Sequence, residues 1–181
     1  MLKHLISLIF FFLLINFGNA QGLHFNYLSV KDGLSQHDVS SIIQDSEGFI
    51  WIGTYDGLNR FDGYRVDNFY HSNEDSSSLS SNRIQCLFEE DKKRLWIGTD
   101  GYGINYYSLE STKIERIEVP DSFRIINDFY KNKNGEILVA TTEGLLKIIE
   151  KDNDFLVEVF QTPRTGFNIK KIKFLENGDS F

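Results

Sequence analysis

The sequence has 181 residues, of which 41% are hydrophobic and 14% aromatic, and it carries 19 Lys and Arg residues against 26 Asp and Glu residues. This composition is too apolar for a disordered chain. The formal net charge of −7, without a basic run, argues against a surface that binds nucleic acid by neutralising phosphates. The single cysteine, Cys86, excludes an intrachain disulfide and a zinc site built from several cysteines.

The first twenty residues have the layout of a secretory signal peptide. A short start that carries Lys3 precedes an almost unbroken apolar run at 5–17, and small residues follow at 18–20. The apolar run is shorter than the ~20 residues that span a bilayer, so a cleaved signal is favoured over an uncleaved anchor. We therefore predict a periplasmic mature chain that begins at Gln21, with no membrane span after the signal peptide.

The rest of the sequence repeats one motif. The run Trp-Ile-Gly-Thr at 51–54 recurs at 96–99, and a weaker copy, Leu-Val-Ala-Thr, stands at 138–141. A fourth copy begins at Ile169 and stops inside its second strand. A fixed period of about 40–45 residues is typical of propeller blades, whereas a β-sandwich does not produce near-identical units. The predicted units are 34–78, 79–120, 121–163 and the incomplete 164–181.

The pattern of each unit predicts four short strands. In the first unit they are expected at 39–44, 49–54, 58–61 and 64–70. Asp-Gly and Asn-Gly pairs between these apolar runs predict tight hairpin turns. The second strand is apolar on both faces, as expected for a blade packed between two neighbours. We therefore predict an all-β fold, a partial β-propeller of about three and a half four-stranded antiparallel blades in an unclosed ring, preceded by an extra strand at 23–30.

Several residues in the repeats have predicted packing roles. Gly53 and Gly98 fit places where two backbones approach closely. Trp51 and Trp96 recur in register, which favours packing over stacking on a sugar. Cys86 is expected to be a packed small residue on a strand.

No catalytic residue, metal site or cofactor is predicted. The four histidines share no repeat position and no metal spacing. The acids at 89–91 are interpreted as a solvated turn, and the serine-rich segment 76–81 as a flexible loop. The best ligand candidates lie in the turn after the second strand, where the units diverge: Tyr55, Asp56, Asp100 and Tyr102. Ordinary turn chemistry remains the alternative for each of them.

Three runs in the first unit, at 31–35, 44–54 and 56–63, resemble the two-component regulator propeller repeat. The resemblance covers residues 23–181 and weakens in the third and fourth units. It implies the periplasmic sensor of a hybrid two-component histidine kinase, in which two seven-bladed propellers precede a β-sandwich domain, a transmembrane helix and a kinase core. The chain is thus expected to be the N-terminal piece of an inner-membrane-anchored sensor that signals as a dimer, and kinase activity is not assigned to it.

Two classes of function follow from these observations. The first is a non-catalytic sensor module that recognises a small polar ligand, which the resemblance implies to be an oligosaccharide. The second is an extracytoplasmic propeller enzyme, a lyase or a glycosidase, and a protein-binding scaffold is a further alternative. The enzyme needs converging acids or a metal site, and the sequence shows neither.

Overall fold

The computed structural model describes residues 25–151, 154–160 and 168–173. The predicted signal peptide at 1–20 and the continuation of the fourth unit from residue 174 lie outside the described residues. Within the described ranges, no helix is both long enough and apolar enough to cross a membrane.

The described strands form three four-stranded antiparallel sheets in which each strand pairs with the next one along the chain. Blade 1 contains β1 (Val39–Gln44), β2 (Ile50–Thr54), β3 (Gly57–Phe61) and β4 (Val66–Phe69). Blade 2 contains β5 (Ile84–Glu90), β6 (Arg94–Thr99), β7 (Ile104–Ser108) and β8 (Ile114–Ile117). Blade 3 contains β9 (Ile126–Lys131), β10 (Ile137–Thr141), β11 (Gly144–Lys151) and β12 (Asp154–Phe160). The predicted partial propeller of four-stranded blades is confirmed, and the described blades form an unclosed ring.

Consecutive blades meet along their first and second strands. A Cβ on Gly53 would lie 2.6 Å from Ile84 Cγ2, and one on Gly98 would lie 2.6 Å from Ile126 Cγ2. Both isoleucines begin the first strand of the next blade and are fully buried. The predicted close approach at the two glycines is confirmed, and its cause is the isoleucine of the following blade.

Each of the two tryptophans is fully buried and hydrogen-bonded to an acid that ends or follows the first strand of its blade. Trp51 Nε1 donates to Asp45 Oδ2 at 2.7 Å, and Trp96 Nε1 donates to Glu90 Oε2 at 2.9 Å. The predicted packing role is therefore confirmed. The interpretation of 89–91 as a solvated turn is wrong for Glu90, because its carboxylate is buried and accepts the indole N–H.

Blade 3 replaces both members of this pair. Leu138 occupies the tryptophan position and has no N–H to satisfy. Asn132 occupies the position of the acid, and its Oδ1 accepts the backbone N–H groups of Asn134 and Glu136. Asp45 Oδ1 accepts the two equivalent N–H groups in blade 1. The hairpin turn keeps its polar anchor although the buried hydrogen bond to the second strand is gone.

Buried asparagines hold the segments that lead into the first two blades. Asn59 Oδ1 accepts the backbone N–H of Ser35 at 2.8 Å, and Asn105 Oδ1 accepts that of Ser80 at 2.8 Å. Both asparagines are fully buried on the third strand. Repeated Leu-Ser and Asn positions in the sequence thus correspond to one repeated contact.

The predicted extra strand at 23–30 is wrong for its described part. Residues 25–29 form no strand, and Val30–Asp32 form a 3₁₀ helix. Ser29 donates from both its backbone N and its Oγ to Asp32 Oδ2, at 2.9 and 2.7 Å, and these bonds hold the 3₁₀ turn. Such side-chain bonds compete with strand pairing.

The start of the fourth unit packs on blade 3 without forming a strand. Ile169 N donates to Thr141 O at 2.9 Å, and Ile172 N donates to Asp128 Oδ2 at 3.1 Å. Ile172 is buried against Leu138 and Ala140. The segment 168–173 therefore packs on one face of blade 3. In blades 1 and 2 the equivalent face is covered by the next blade.

The thiol of Cys86 should react only when blades 2 and 3 separate. It is buried at their junction and lies 3.7 Å from Ile126 O, to which it donates. Burial raises the pKa of this thiol far above its ordinary value. A thiol reagent should therefore modify the native chain at least ~100-fold more slowly than the chain in denaturant.

The matched control for this prediction is a chain in which Cys86→Ser is combined with Tyr64→Cys. Tyr64 is 98% exposed, so the new thiol should react at the rate of a free cysteine. Equal labelling rates for the native and denatured wild-type chain would contradict the buried position of Cys86.

Candidate functional site

The turns after the second strands lie at the same end of the blades as the linkers between blades. Gly57 N donates to Asn82 O at 2.7 Å, and Gly103 N donates to Arg124 O at 2.9 Å. Each bond joins the turn of one blade to the linker that leads into the next. We call this end of the blades the rim.

The structure brings three of the four predicted ligand residues together on the rim. Asn82 Nδ2 donates to Asp56 Oδ1 at 3.0 Å, and Arg83 forms an ion pair with Asp100 at 2.7 Å. The guanidinium of Arg83 also lies over the ring of Tyr55, 5.6 Å from its centroid. Tyr55 and Asp56 of blade 1 therefore meet Asp100 of blade 2 through two consecutive linker residues.

Arg83 is the centre of this cluster. Its side chain is 58% exposed, and it contacts an aromatic ring on one blade and a carboxylate on the next. Exposed ion pairs contribute at most about 1 kcal/mol to stability. The cluster can thus exchange its internal contacts for contacts with a bound molecule at low cost, while the same contacts help to orient the two blades.

Tyr102, the fourth predicted residue, lies beside this cluster in a cavity of about 330 Å³. Its ring is 60% exposed. Other residues that line the cavity include His71, Arg116 and Arg124. An exposed ring next to hydrogen-bonding side chains suits a ligand with both apolar and polar edges.

Arg116 organises the serine-rich loop that borders this cavity. It donates to Ser78 O at 2.9 Å and to Leu79 O at 3.0 Å. Ser77 donates its Oγ and its backbone N to Asp75 Oδ1, which lowers the pKa of that carboxyl. The segment predicted as a flexible loop is therefore a hydrogen-bonded wall of the cavity, in which Ser78 is buried.

Sequence reasoning missed the linker residues His71, Asn82 and Arg83, and it missed Arg116 on strand β8. His71 Nδ1 donates to Leu79 O at 2.7 Å, and its Nε2 lies 3.0 Å from Asn73 Oδ1. The three linker residues stand outside the shared repeat positions, so alignment of the units gives no signal for them. Their role depends on which turn each linker crosses. Arg116 stands opposite Asn105, where blade 1 has Asn68 opposite Asn59.

The rim can bind and orient a molecule through exposed rings, carboxylates and guanidinium groups. Among the residues that the structure describes, no group of three or more His, Cys, Asp or Glu side chains could hold a metal ion.

Comparison with known proteins gives a family match, a relative and structural neighbours. The family model of the two component regulator propeller matches residues 33–56 and 78–101. Histidine kinase P4 of Formosa agariphila is 44% identical over 75 residues, which cover 40% of this chain and 5% of that protein. This chain therefore spans only a small part of its relative's length.

Solved structures share the fold. The extracellular domain of BT4673 from B. thetaiotaomicron, described as a hybrid two component system, has a TM-score of 0.65 at 21% identity, covering 84% of this chain and 21% of that one. Virginiamycin B lyase from Staphylococcus aureus has a TM-score of 0.59 at 14% identity, covering 78% and 47%. Both likenesses concern the fold alone.

The matched segments contain the first two strands of blade 1 and of blade 2. They include the buried tryptophan, its acid and the small residue of each blade junction. The two segments that match the two component regulator propeller model therefore stand at equivalent places in consecutive blades.

Proposed function

We propose that this chain is part of the ligand-sensing propeller of a two-component signal-transduction sensor, exported from the cytoplasm and without catalytic activity of its own. The observation that carries the proposal is the match of two consecutive blades to the two-component regulator propeller. The likeness to an extracellular domain of such a system supports it. The layout of residues 1–20 supports export to the periplasm.

The proposed ligand is a small hydroxyl-rich molecule, an oligosaccharide, bound at the rim. Tyr55 and Tyr102 offer exposed ring surface, while Asp56 and Asp100 offer carboxylate oxygens beside the donors Asn82 and Arg83. Sugar hydroxyls both donate and accept hydrogen bonds, so alternating acceptors and donors suit them. Because Arg83 joins blades 1 and 2, binding at Asp100 would change the contact between the two blades.

The experiment is a titration of the ¹⁵N-labelled chain with cellotriose, maltotriose, xylotriose and mannotriose, followed by amide chemical shifts. Shifts concentrated at 55–56, 82–83 and 100–102 are expected, and Tyr102→Ala should weaken the interaction by about tenfold, as loss of one stacked ring predicts. The matched control is Tyr64→Ala, which removes an exposed ring from another turn. Unchanged rim shifts with every sugar, or release of shorter sugars from the probes, would overturn the proposal.

A further inference from the structure

A second cavity lies between blades 2 and 3, and we call it the junction groove. Its volume is about 390 Å³, within the ~300–1,000 Å³ typical of ligand pockets. Lys92 and Lys93 lie in the turn between β5 and β6, and Glu110 lies between β7 and β8. Antiparallel pairing places both turns at the end of the blade opposite the rim. The groove is therefore separate from the rim.

One position in the groove departs from the pattern of the other blades. In blades 1 and 3 the third strand places a cation opposite an acid of the fourth strand, Arg60 opposite Asp67 and Lys147 opposite Glu158. Arg60 forms an ion pair with that acid, whereas Lys147 forms its ion pair with Glu136. In blade 2 the same register pairs Tyr106 with Glu115. A departure from an otherwise consistent pattern is where function is expected.

The tyrosine leaves its partner acid without a cation at this register. Arg60 of blade 1 forms an ion pair with Asp67 at 2.8 Å and also donates across its junction to Tyr107 Oη at 3.4 Å. Tyr106 instead stands opposite Glu115 on the neighbouring strand of blade 2, and burial together with this acid raises the pKa of Tyr106 to about 12. The hydroxyl thus stays protonated at neutral pH, and the exposed Glu115 retains further acceptor capacity.

Arg94, by contrast, is committed to the floor of the groove. Its Nη2 pairs with Glu150 Oε2 of blade 3 at 2.7 Å, and its Nε lies 3.1 Å from Glu90 Oε2. Its guanidinium also lies over the ring of Phe155, 4.8 Å from the centroid. The arginine is only 8% exposed, so this contact fixes both walls of the groove and joins the two blades.

The charges that line the groove balance. Its cations are Lys92, Lys93 and Arg94, and its anions are Glu110, Glu115 and Glu150. A charged ligand would meet as many like charges as opposite ones, whereas a neutral polyol can use both donors and acceptors. The rings of Tyr106 and Phe155, with centroids 5.3 Å apart, add apolar surface.

We propose that the junction groove is a second binding site, specific for a neutral, hydroxyl-rich ligand such as an uncharged pyranose unit, held by Tyr106 and Glu115 of blade 2 against Phe155 of blade 3. The ligand would contact both blades and reinforce the junction that Arg94 and Glu150 already form. This site is independent of the oligosaccharide site proposed for the rim.

The test uses the ¹⁵N-labelled chain with cellobiose and maltose as neutral probes, and with digalacturonic acid and the glucosamine dimer as charged ones. A neutral probe should shift the amides of Tyr106, Glu115 and Phe155 at millimolar concentration. Combining Tyr106→Phe with Glu115→Gln should weaken this binding about tenfold, because a hydroxyl donor and a charged acceptor are removed without loss of volume. Asp100→Asn on the rim should leave binding in the groove unchanged.

Three results would overturn the proposal. One is the absence of shifts at the groove with both neutral probes in a chain that melts cooperatively. Another is tighter binding of either charged dimer than of the neutral probes. The third is unchanged affinity in the double variant, provided that its melting temperature matches that of the wild type. Because rim and groove amides are read separately, failure at one site leaves the result at the other intact.

Discussion

Replacement of Trp96 by alanine should lower the free energy of unfolding by about 3–5 kcal/mol, the usual cost of truncating a buried large aromatic residue. Trp96 is fully buried and contacts Phe129 and Phe155 of blade 3, with ring centroids 6.2 and 5.2 Å away. Its removal opens a cavity at the junction and leaves Glu90 without the indole donor. Urea unfolding followed by circular dichroism measures the loss.

Two variants show which part of Trp96 matters. Trp96→Phe keeps much of the ring but removes the N–H. It should therefore lower the free energy of unfolding, but by less than Trp96→Ala does. Tyr64→Ala, at a side chain that is 98% exposed, should change stability by less than ~0.5 kcal/mol. A cost below ~1 kcal/mol for Trp96→Ala would contradict its role as the centre of the junction.

Gly98→Ala is the second substitution with a large expected effect, and it acts by overpacking rather than by leaving a cavity. The added Cβ would lie 2.5 Å from Cys86 Sγ and 2.6 Å from Ile126 Cγ2, closer than real Cβ atoms approach. Neighbours packed between two sheets cannot yield freely, so a loss of about 1–3 kcal/mol is expected. The urea midpoint measures it.

The third blade provides the matched comparison for Gly98→Ala, because Ala140 stands at the same repeat position. Ala140→Gly should cost about 1 kcal/mol through backbone entropy and lost packing, without any clash. Combining Gly98→Ala with Ile126→Ala removes the Cγ2 methyl group but leaves Cys86 Sγ 2.5 Å and the Cβ of residue 126 2.9 Å from the added Cβ. The double variant should therefore lose somewhat less stability than the sum of the two single variants. If the stability losses of the two single variants added exactly in the double variant, the clash with Ile126 would not explain the cost of Gly98→Ala.

The sequence predicted the blades well because their determinants recur in register. Gly53 and Gly98 stand at equal positions in their units, and each meets the isoleucine that opens the next blade. Strand β1 begins and ends where the pattern placed it, since its hairpin turn is set by local Asp-Ser-Glu-Gly chemistry. The repeat in the sequence therefore predicted both the strands and the positions where consecutive blades contact each other.

The misses occur where a contact depends on residues far apart in the sequence. From the sequence alone, the run of acids at 89–91 is interpreted as a solvated turn. The structure shows that one of them, Glu90, is buried and accepts a hydrogen bond from Trp96. Arg83 belongs to a linker with no repeated pattern, and its contacts with Tyr55 and Asp100 follow only from the way two blades meet. The turn residues of the candidate site could therefore be predicted from the sequence, whereas its linker residues could not.

Every inter-blade contact described above joins blades that are consecutive along the chain. The free energy of unfolding of such an array is approximately the sum of the stabilities of its units and of the contacts between neighbouring units. Blade 2 packs between two described blades, so it should retain its amide hydrogens longer than blades 1 and 3. Among the described blades, a structural change in blade 1 can therefore alter blade 3 only through the contacts that both make with blade 2.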